Sequence, residues 1–358
     1  MSGISRVPGV DAHVKLSSFD YPLPDHLIAQ HPLPERDRSR LMVVWRETGT
    51  VEHRIFRDLP EILGPDYFLV INTTRVFPAR LWAQRPGRQE RIEVLLVREE
   101  APASWLALVR PARKVNPGQE LRIGDLEARA REIRADGSRL IDFTQVVDLW
   151  ESLERLGEPP LPPYIRREAG EDLAQDRERY QTVFARQSGS VAAPTAALHF
   201  TPEVLRRLTE RGVPLCEILL HVGYGTFQPV RCEEIEEHRL EPEYYEVTDA
   251  AAAAIRKHRS DGRLLVATGT TTTRVLEHLA RRENYLERGS SGFCDLFIYP
   301  GFQFRALGGL LTNFHLPRSS LFMLVCAFAG REFMLDCYRQ AVAAEYRFFS
   351  YGDCMLIL

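Results

Sequence analysis

Lysine is almost missing from this chain: Lys15, Lys114 and Lys257 are the only three in 358 residues, and arginine supplies the other 43 of 46 basic side chains. A GC-rich coding sequence accounts for such a bias without any function behind it. With 49 acidic residues the formal net charge is −3, so nothing pulls the whole chain toward nucleic acid. Phosphate contacts would have to come from local patches, for which Arg36/Arg38/Arg40, Arg75/Arg80/Arg85/Arg88/Arg91, Arg110/Arg113/Lys114 and Arg166/Arg167 qualify. No apolar run reaches the roughly 18 residues a membrane span needs; "LFMLVCAFAG" (321–330) is too short. MSGISRVPGV, at the start, lacks the apolar stretch of a secretory signal. The six cysteines (216, 232, 294, 326, 337, 354) include no C-x-x-C pair, which argues against a zinc site and against a disulfide framework. The expectation is a cytoplasmic protein with reduced thiols, no membrane contact and no metal. His-Glu-x-x-His, Gly-x-Ser-x-Gly and Walker loops are all absent, so metal hydrolysis, serine hydrolysis and nucleoside-triphosphate chemistry lack support.

What is present is an ordinary globular composition, 44% hydrophobic and 27% charged, in a chain long enough for two or three domains. From about 80 to 146 it reads as short strands: "RIEVLLV" (91–97), "SWLALVR" (104–110), "QELRIGD" (119–125), "LEARAREI" (126–133) and "RLIDFT" (139–144). Turn chemistry at Asn116-Pro117-Gly118 and Asp136-Gly137 separates them, which predicts a small antiparallel barrel or curled sheet. Elsewhere strands and helices alternate. "TPEVLRRLTERG" offers Thr201 as N-cap, Pro202 at the first helical position and Gly212 as terminator. Apolar runs 213–223, 263–269 and 294–300 read as strands, and 272–282, 318–330 and 331–346 as helices. Such alternation predicts an α/β layer with parallel pairing. The expected fold is thus α/β: a main catalytic domain from 1–75 and 155–358, interrupted by a β-barrel-like domain at 76–154.

Chemistry-bearing stretches fall at the predicted strand ends, where such layers gather functional groups. "SVAAPTAALHF" (190–200) is a small-residue run ending in His199 and Phe200, and would let another surface approach closely. "LLHVGYGTFQPV" (219–230) runs from His221 into Gly223 and Gly225, then Thr226, Phe227 and Gln228. It lacks the third glycine of a dinucleotide fingerprint, and a plain turn followed by a strand is the bland alternative. "ATGTTTTRV" (267–275) could offer helix-start N–H groups and hydroxyls, Thr270 among them, to a carboxylate or phosphate, or simply be a threonine cap. "LTNFHLPRSSL" (311–321) places Asn313, Phe314 and His315 as a purine clamp or as ordinary core. "HPLPERDRSR" (31–40) carries Arg36 and Arg40 in what is otherwise a solvated charged turn. "EYRFFSYGDCMLIL" (345–358) holds Arg347, Tyr351 and Asp353 before an apolar run expected to dock in the sheet.

Taken together, "FDYPLPDHLIAQHPLPERDRSRLMVV", "VINTTRVFPARL", "DRERYQTVFA", "GSVAAPTAALHFT", "LLHVGYGTFQPV", "TNFHLPRSSLFMLVCAFAG" and "YRFFSYGDCMLIL" resemble the S-adenosylmethionine:tRNA ribosyltransferase-isomerases of queuosine biosynthesis, from about residue 19 to the end. The resemblance implies an α/β domain interrupted by a barrel. It implies transfer of the ribosyl part of S-adenosylmethionine to 7-aminomethyl-7-deazaguanine at the tRNA wobble position, giving epoxyqueuosine, adenine and methionine. S-adenosylmethionine is then a co-substrate, with no other cofactor, and the anticodon loop of tRNA is the partner of a monomer. His199, His221 and His315 become the acid–base candidates, with no one of them singled out. Arg75, Thr195, Phe200, Gly225, Thr226, Phe227, Gln228, Thr270, Asn313, Phe314, Arg347, Tyr351 and Asp353 become substrate-binding candidates. Arg36, Arg40, Arg110, Arg113 and Lys114 are the expected RNA contacts. Tyr224 between the glycines, Ala197 for a glycine and Glu241 for a histidine depart from the family pattern. An RNA-binding paralogue without the reaction is the alternative; an adenosylmethionine-dependent methyltransferase is disfavoured by the missing glycine fingerprint.

Overall fold

In a computed structural model of the chain, residues 14–144, 148–167, 173–227 and 229–358 are described. The chain divides into two compact units, one from Met1–Ile71, Thr195–Ile218 and Gly225–Leu358, the other from Asn72–Pro194 and Leu219–Tyr224. The second unit therefore extends beyond the 76–154 expected for the insertion.

A nine-stranded mixed sheet underlies the first unit. Its order is Ser290–Cys294, Glu243–Val247, Leu215–Leu220, Tyr67–Asn72, Leu264–Thr268, Gly309–Asn313, Cys354–Ile357, Arg40–Trp45 and Thr50–Ile55. Leu264–Thr268 runs parallel to both of its neighbours, Tyr67–Asn72 and Gly309–Asn313. The last strand is antiparallel to Gly309–Asn313 and parallel to Arg40–Trp45. Its four residues are all buried, as the apolar "CMLIL" requires. Leu310, Met355, Ile357, Met42 and Val44 form one face, and the helices Ser320–Ala329 and Arg331–Ala343 cover it. Thr201 caps the helix Pro202–Glu210 by accepting from Val204 N at 3.3 Å, and Gly212 beyond it takes φ +73°. One expected strand fails. Residues 295–300 are irregular, and the strand lies earlier, at Ser290–Cys294, paired rung by rung with Glu243–Val247. Leu296, Phe297 and Tyr299 pack on the apolar cluster from that irregular segment; a short apolar run marks burial, not strand geometry.

The second unit holds the antiparallel barrel. Its order is Arg80–Ala83, Ile92–Ala101, Ser104–Arg110, Arg139–Thr144, Leu126–Ile133 and Glu120–Ile123. Reciprocal backbone bonds between Gln84 and Arg122, 2.9 and 2.8 Å, join the last strand to the first. Closure removes the unpaired edges that an open sheet exposes. Gly118, Gly124 and Gly137 turn the chain at positive φ. Alternate residues, Leu81, Val94, Leu96, Trp105, Ala107, Ile141 and Phe143 among them, fill the interior. A short parallel pair, Thr74–Val76 with Gln187–Ser190, lies outside the barrel sheet. No helix among the described residues is long and apolar enough to cross a membrane.

Candidate active site

The strands Tyr67–Asn72, Leu264–Thr268 and Gly309–Asn313 share a direction, so Asn72, Thr268 and Asn313 all end on one edge of the sheet. Polar side chains there are dictated by position: beyond each of them the ladder stops.

His199 is held in the first unit from both ring nitrogens. Nε2 lies 3.0 Å from Asn313 Oδ1 and Nδ1 lies 2.8 Å from Ser39 Oγ. The Asn313 amide nitrogen donates to Phe349 O at 2.9 Å and to Ser350 O at 3.3 Å, which leaves its oxygen facing the ring. Nε2 therefore carries the proton, and Nδ1 faces the Ser39 hydroxyl, whose single proton also has Arg36 O within 3.0 Å. Burial pushes the His199 pKa down to about 4, opposed by the Asn313 bond and Asp353 and assisted by Arg347 and Arg36. Phe56 stacks beside the imidazole, 5.2 Å between centroids, and takes Phe200 edge-on at 4.9 Å. The ring is thus neutral and oriented, and a poor proton acceptor near neutrality.

His315 belongs to the other face. Its Nε2 lies 2.8 Å from Thr312 Oγ1, its backbone N–H donates to Tyr338 Oη at 3.2 Å, and the Tyr21 hydroxyl donates to its backbone carbonyl. Thr312 and Asn313 are consecutive strand residues, so their side chains leave on opposite faces of the sheet. The two imidazoles they bind are divided in the same way. His315 sits with Tyr21, Phe322 and Tyr338 under the helices, where burial lowers its pKa to about 3. His315 thus fastens the 314–319 turn to its strand, on the face opposite His199.

His221 belongs to the second unit and is fixed from its flanks. Asn72 donates to Leu220 O at 2.8 Å and accepts from Leu220 N at 3.0 Å, while Ser190 Oγ accepts from Val222 N at 2.8 Å. Both backbone neighbours of the histidine are thereby clamped by side chains. Asn72 also accepts from Thr74 N at 3.0 Å, and Thr74 Oγ1 lies 2.9 Å from His221 Nδ1. The other side of the ring lies on Gly189, where an added Cβ would stand 2.5 Å from Cε1 and Nε2. Burial lowers the His221 pKa, but the ring is only half-buried. Asn72, Thr74, Gly189 and Ser190 lie inside motifs that the sequence singles out, but nothing in one chain marks them as the histidine's supports; that depends on strand pairing.

The remaining candidates divide. Phe200 and Phe314 are fully buried, Phe314 against Tyr338, Tyr346 and Phe348, so these rings are core and expose no face for stacking. Asp353 accepts from Arg40 N, Arg40 Nε and Arg347 N at 3.0, 3.2 and 2.8 Å; its carboxylate is spent on the protein. Arg347 donates to the carbonyls of His31 and Tyr351, and its Nη1 has no acceptor among the described residues. Tyr351 is buried beside it. Thr195 opens the turn Thr195–Ala197, and Thr270 opens the helix Thr270–Leu279. The Glu241 carboxylate lies over Gly225, 3.3 Å from where a Cβ would stand, and Tyr224 packs on the barrel core. Gln228 and the side chains of Thr226 and Phe227 lie outside the described residues. Arg75 is exposed and pairs with Glu154 at 3.2 Å. Among the expected RNA contacts, Arg110 and Arg113 are exposed. Arg36 donates to Leu198 O at 3.3 Å. Arg40 caps the carbonyls of Ala344 and Glu345 and stacks on Tyr346. Lys114 is bound to Glu90 at 2.7 Å. Arg40 and Lys114 are therefore committed within the protein.

The chain thus holds an α/β unit with a polar C-terminal strand edge and a barrel unit with an oriented imidazole. Residues 16–357 match the family described as queuosine biosynthesis protein, and the chain belongs to that family. It is 52% identical over 348 residues to the S-adenosylmethionine:tRNA ribosyltransferase-isomerase of Moorella thermoacetica, covering 96% of this chain and all of that one. It is 50% identical over 347 residues to the protein of the same name from Desulfitobacterium hafniense, with the same coverage. Among solved structures it resembles the S-adenosylmethionine tRNA ribosyltransferase of Thermotoga maritima, at 40% identity and TM-score 0.55 over 95% of this chain and all of that one.

Proposed function

We propose that this chain is an S-adenosylmethionine:tRNA ribosyltransferase-isomerase. It would move the ribosyl group of S-adenosylmethionine to 7-aminomethyl-7-deazaguanine at the wobble position, giving epoxyqueuosine with release of adenine and methionine. The observation that carries this reading is a full-length match at about half identity to relatives bearing that name. The protein would act in the cytoplasm as a monomer, on tRNA, with no metal.

The reaction needs a base for the acidic C5′ hydrogens next to the sulfonium, a neutral attacking amine, and donors for the departing adenine. His221 is the imidazole best suited to move protons: it is half-buried, its neutral form is favoured by burial, and its orientation is set by Thr74 and Gly189. His199 is oriented more tightly but holds its neutral form too strongly to act as a base, and we assign it to ordering the strand edge. Arg347 Nη1 is a candidate partner for a substrate oxygen. Arg110 and Arg113 are candidate phosphate contacts. Incubation with S-adenosylmethionine and tRNA carrying the aminomethyl base tests the assignment. Adenine and methionine in equal amounts are expected; S-adenosylhomocysteine would indicate methyl transfer, and tRNA binding with neither product would indicate an inactive paralogue.

A further inference from the structure

We infer that the start of the helix Thr270–Leu279 is a carboxylate site which, on the functional reading above, takes the amino-acid end of S-adenosylmethionine. The helix has ten residues and begins after Gly269, at φ +95°, with no side chain capping it. The N–H groups of Thr270, Thr271 and Thr272 have no acceptor among the described residues, as first-turn donors lack one within a helix. Two hydroxyls join them. Among the described residues, Thr268 Oγ1 and Thr272 Oγ1 are buried without a hydrogen-bond partner, in residues 1% and 0% exposed. Thr273 differs, donating to Gly269 O at 3.1 Å.

Position puts both residues at the helix start. Helical side chains tilt toward the N-terminus, so Thr272 reaches back over the first turn. Thr268 is the residue before Gly269, and it pairs with Leu311, so it shares the sheet face of Asn313 and His199. Ala196 stands on the same side: a Cβ on Gly269 would meet the Ala196 Cβ at 3.9 Å, so the small-residue run comes against this turn. Three N–H donors and two hydroxyls with protons to give favour an anion, and the helix dipole favours the same sign. Thr268, Thr270, Thr271 and Thr272 are all buried, which admits the carboxylate of a small molecule and excludes a phosphodiester on a folded RNA.

The probe pair is S-adenosylmethionine and its decarboxylated analogue, titrated calorimetrically into the wild type and into T268V/T272V. Valine keeps the shape and removes the hydroxyls. The wild type should prefer the carboxylate-bearing ligand by about tenfold or more. The double variant should bind the two within about twofold of each other, with unchanged melting temperature and unchanged tRNA affinity. T268S/T272S keeps the hydroxyls and should retain the wild-type preference, which controls for packing. A preference that survives in T268V/T272V would overturn the site, as would a variant that loses tRNA affinity while keeping that preference. Adenine release by the wild type is scored separately. Its absence would refute the functional reading, and the carboxylate preference would still decide the site.

Discussion

At the scale of single residues, Gly189 makes the sharpest demand. It has φ +153° and the His221 ring lies on it, so a methyl group there would stand 2.5 Å from Cε1 and Nε2. G189A should move the imidazole by a large fraction of an ångström, and misplacement of that order costs about a hundredfold in turnover. Steady-state kinetics beside tRNA binding check this: kcat should fall and tRNA affinity should hold. His221 also predicts a pH limb. A base must be unprotonated, and burial lowers this histidine below its ordinary value of 6.5, so turnover should rise with pH through a midpoint under 6.5 and then level off. H221N should lose both the limb and the activity; a limb that persists in residual H221N turnover would assign it to another group.

At the scale of elements, the final strand is a wedge between Gly309–Asn313 and Arg40–Trp45. Asp353, just before it, ties Arg40 to the 347–353 loop with three bonds. D353A removes the acceptor of three part-buried donors, at about 0.5–1.5 kcal/mol each, and should lower the urea midpoint; a shift worth under about 0.5 kcal/mol in total would contradict the bonding described. These elements also show what could be read beforehand. The barrel strands were legible because turn glycines bracket alternating apolar residues, and residues 354–358 because five apolar residues at a chain end must be covered. The strand misplaced to 294–300 had apolar content but no partner visible in sequence; pairing with Glu243–Val247 chose Ser290–Cys294 instead. The candidate motifs were legible in sequence, and the geometry that their residues adopt was not. His199 and His315 read alike in sequence, yet Asn313 and Thr312 send them to opposite faces. The supports of His221 come from Thr74 and Gly189, 147 and 32 positions away in the chain.

For the whole molecule, charge and burial set the behaviour in solution. His199 and His315 have folded pKa values near 4 and 3, below the unfolded value of about 6.5. The unfolded chain therefore binds more protons than the fold across that window. Stability should be full above pH 6.5 and fall as pH drops toward 4, by up to about 1.4 kcal/mol per pH unit for each histidine. Urea titrations across pH 4–7 check the slope, and H315N should reduce it by one histidine's share. Binding of tRNA should be salt-dependent through exposed Arg110 and Arg113, so R110A/R113A should shallow the slope of log K against log salt by about 1–2 units. K114A should leave it unchanged, because Glu90 already holds that ammonium.

The proposed reaction is ribosyl transfer with His221 moving the proton. The most direct test is adenine release during incubation of aminomethyl-deazaguanine tRNA and S-adenosylmethionine with wild type and with H221N of matched melting temperature. Adenine and methionine in equal amounts from the wild type, and none above background from the variant, is the expected result. Comparable adenine from H221N, or none from the wild type, would contradict it.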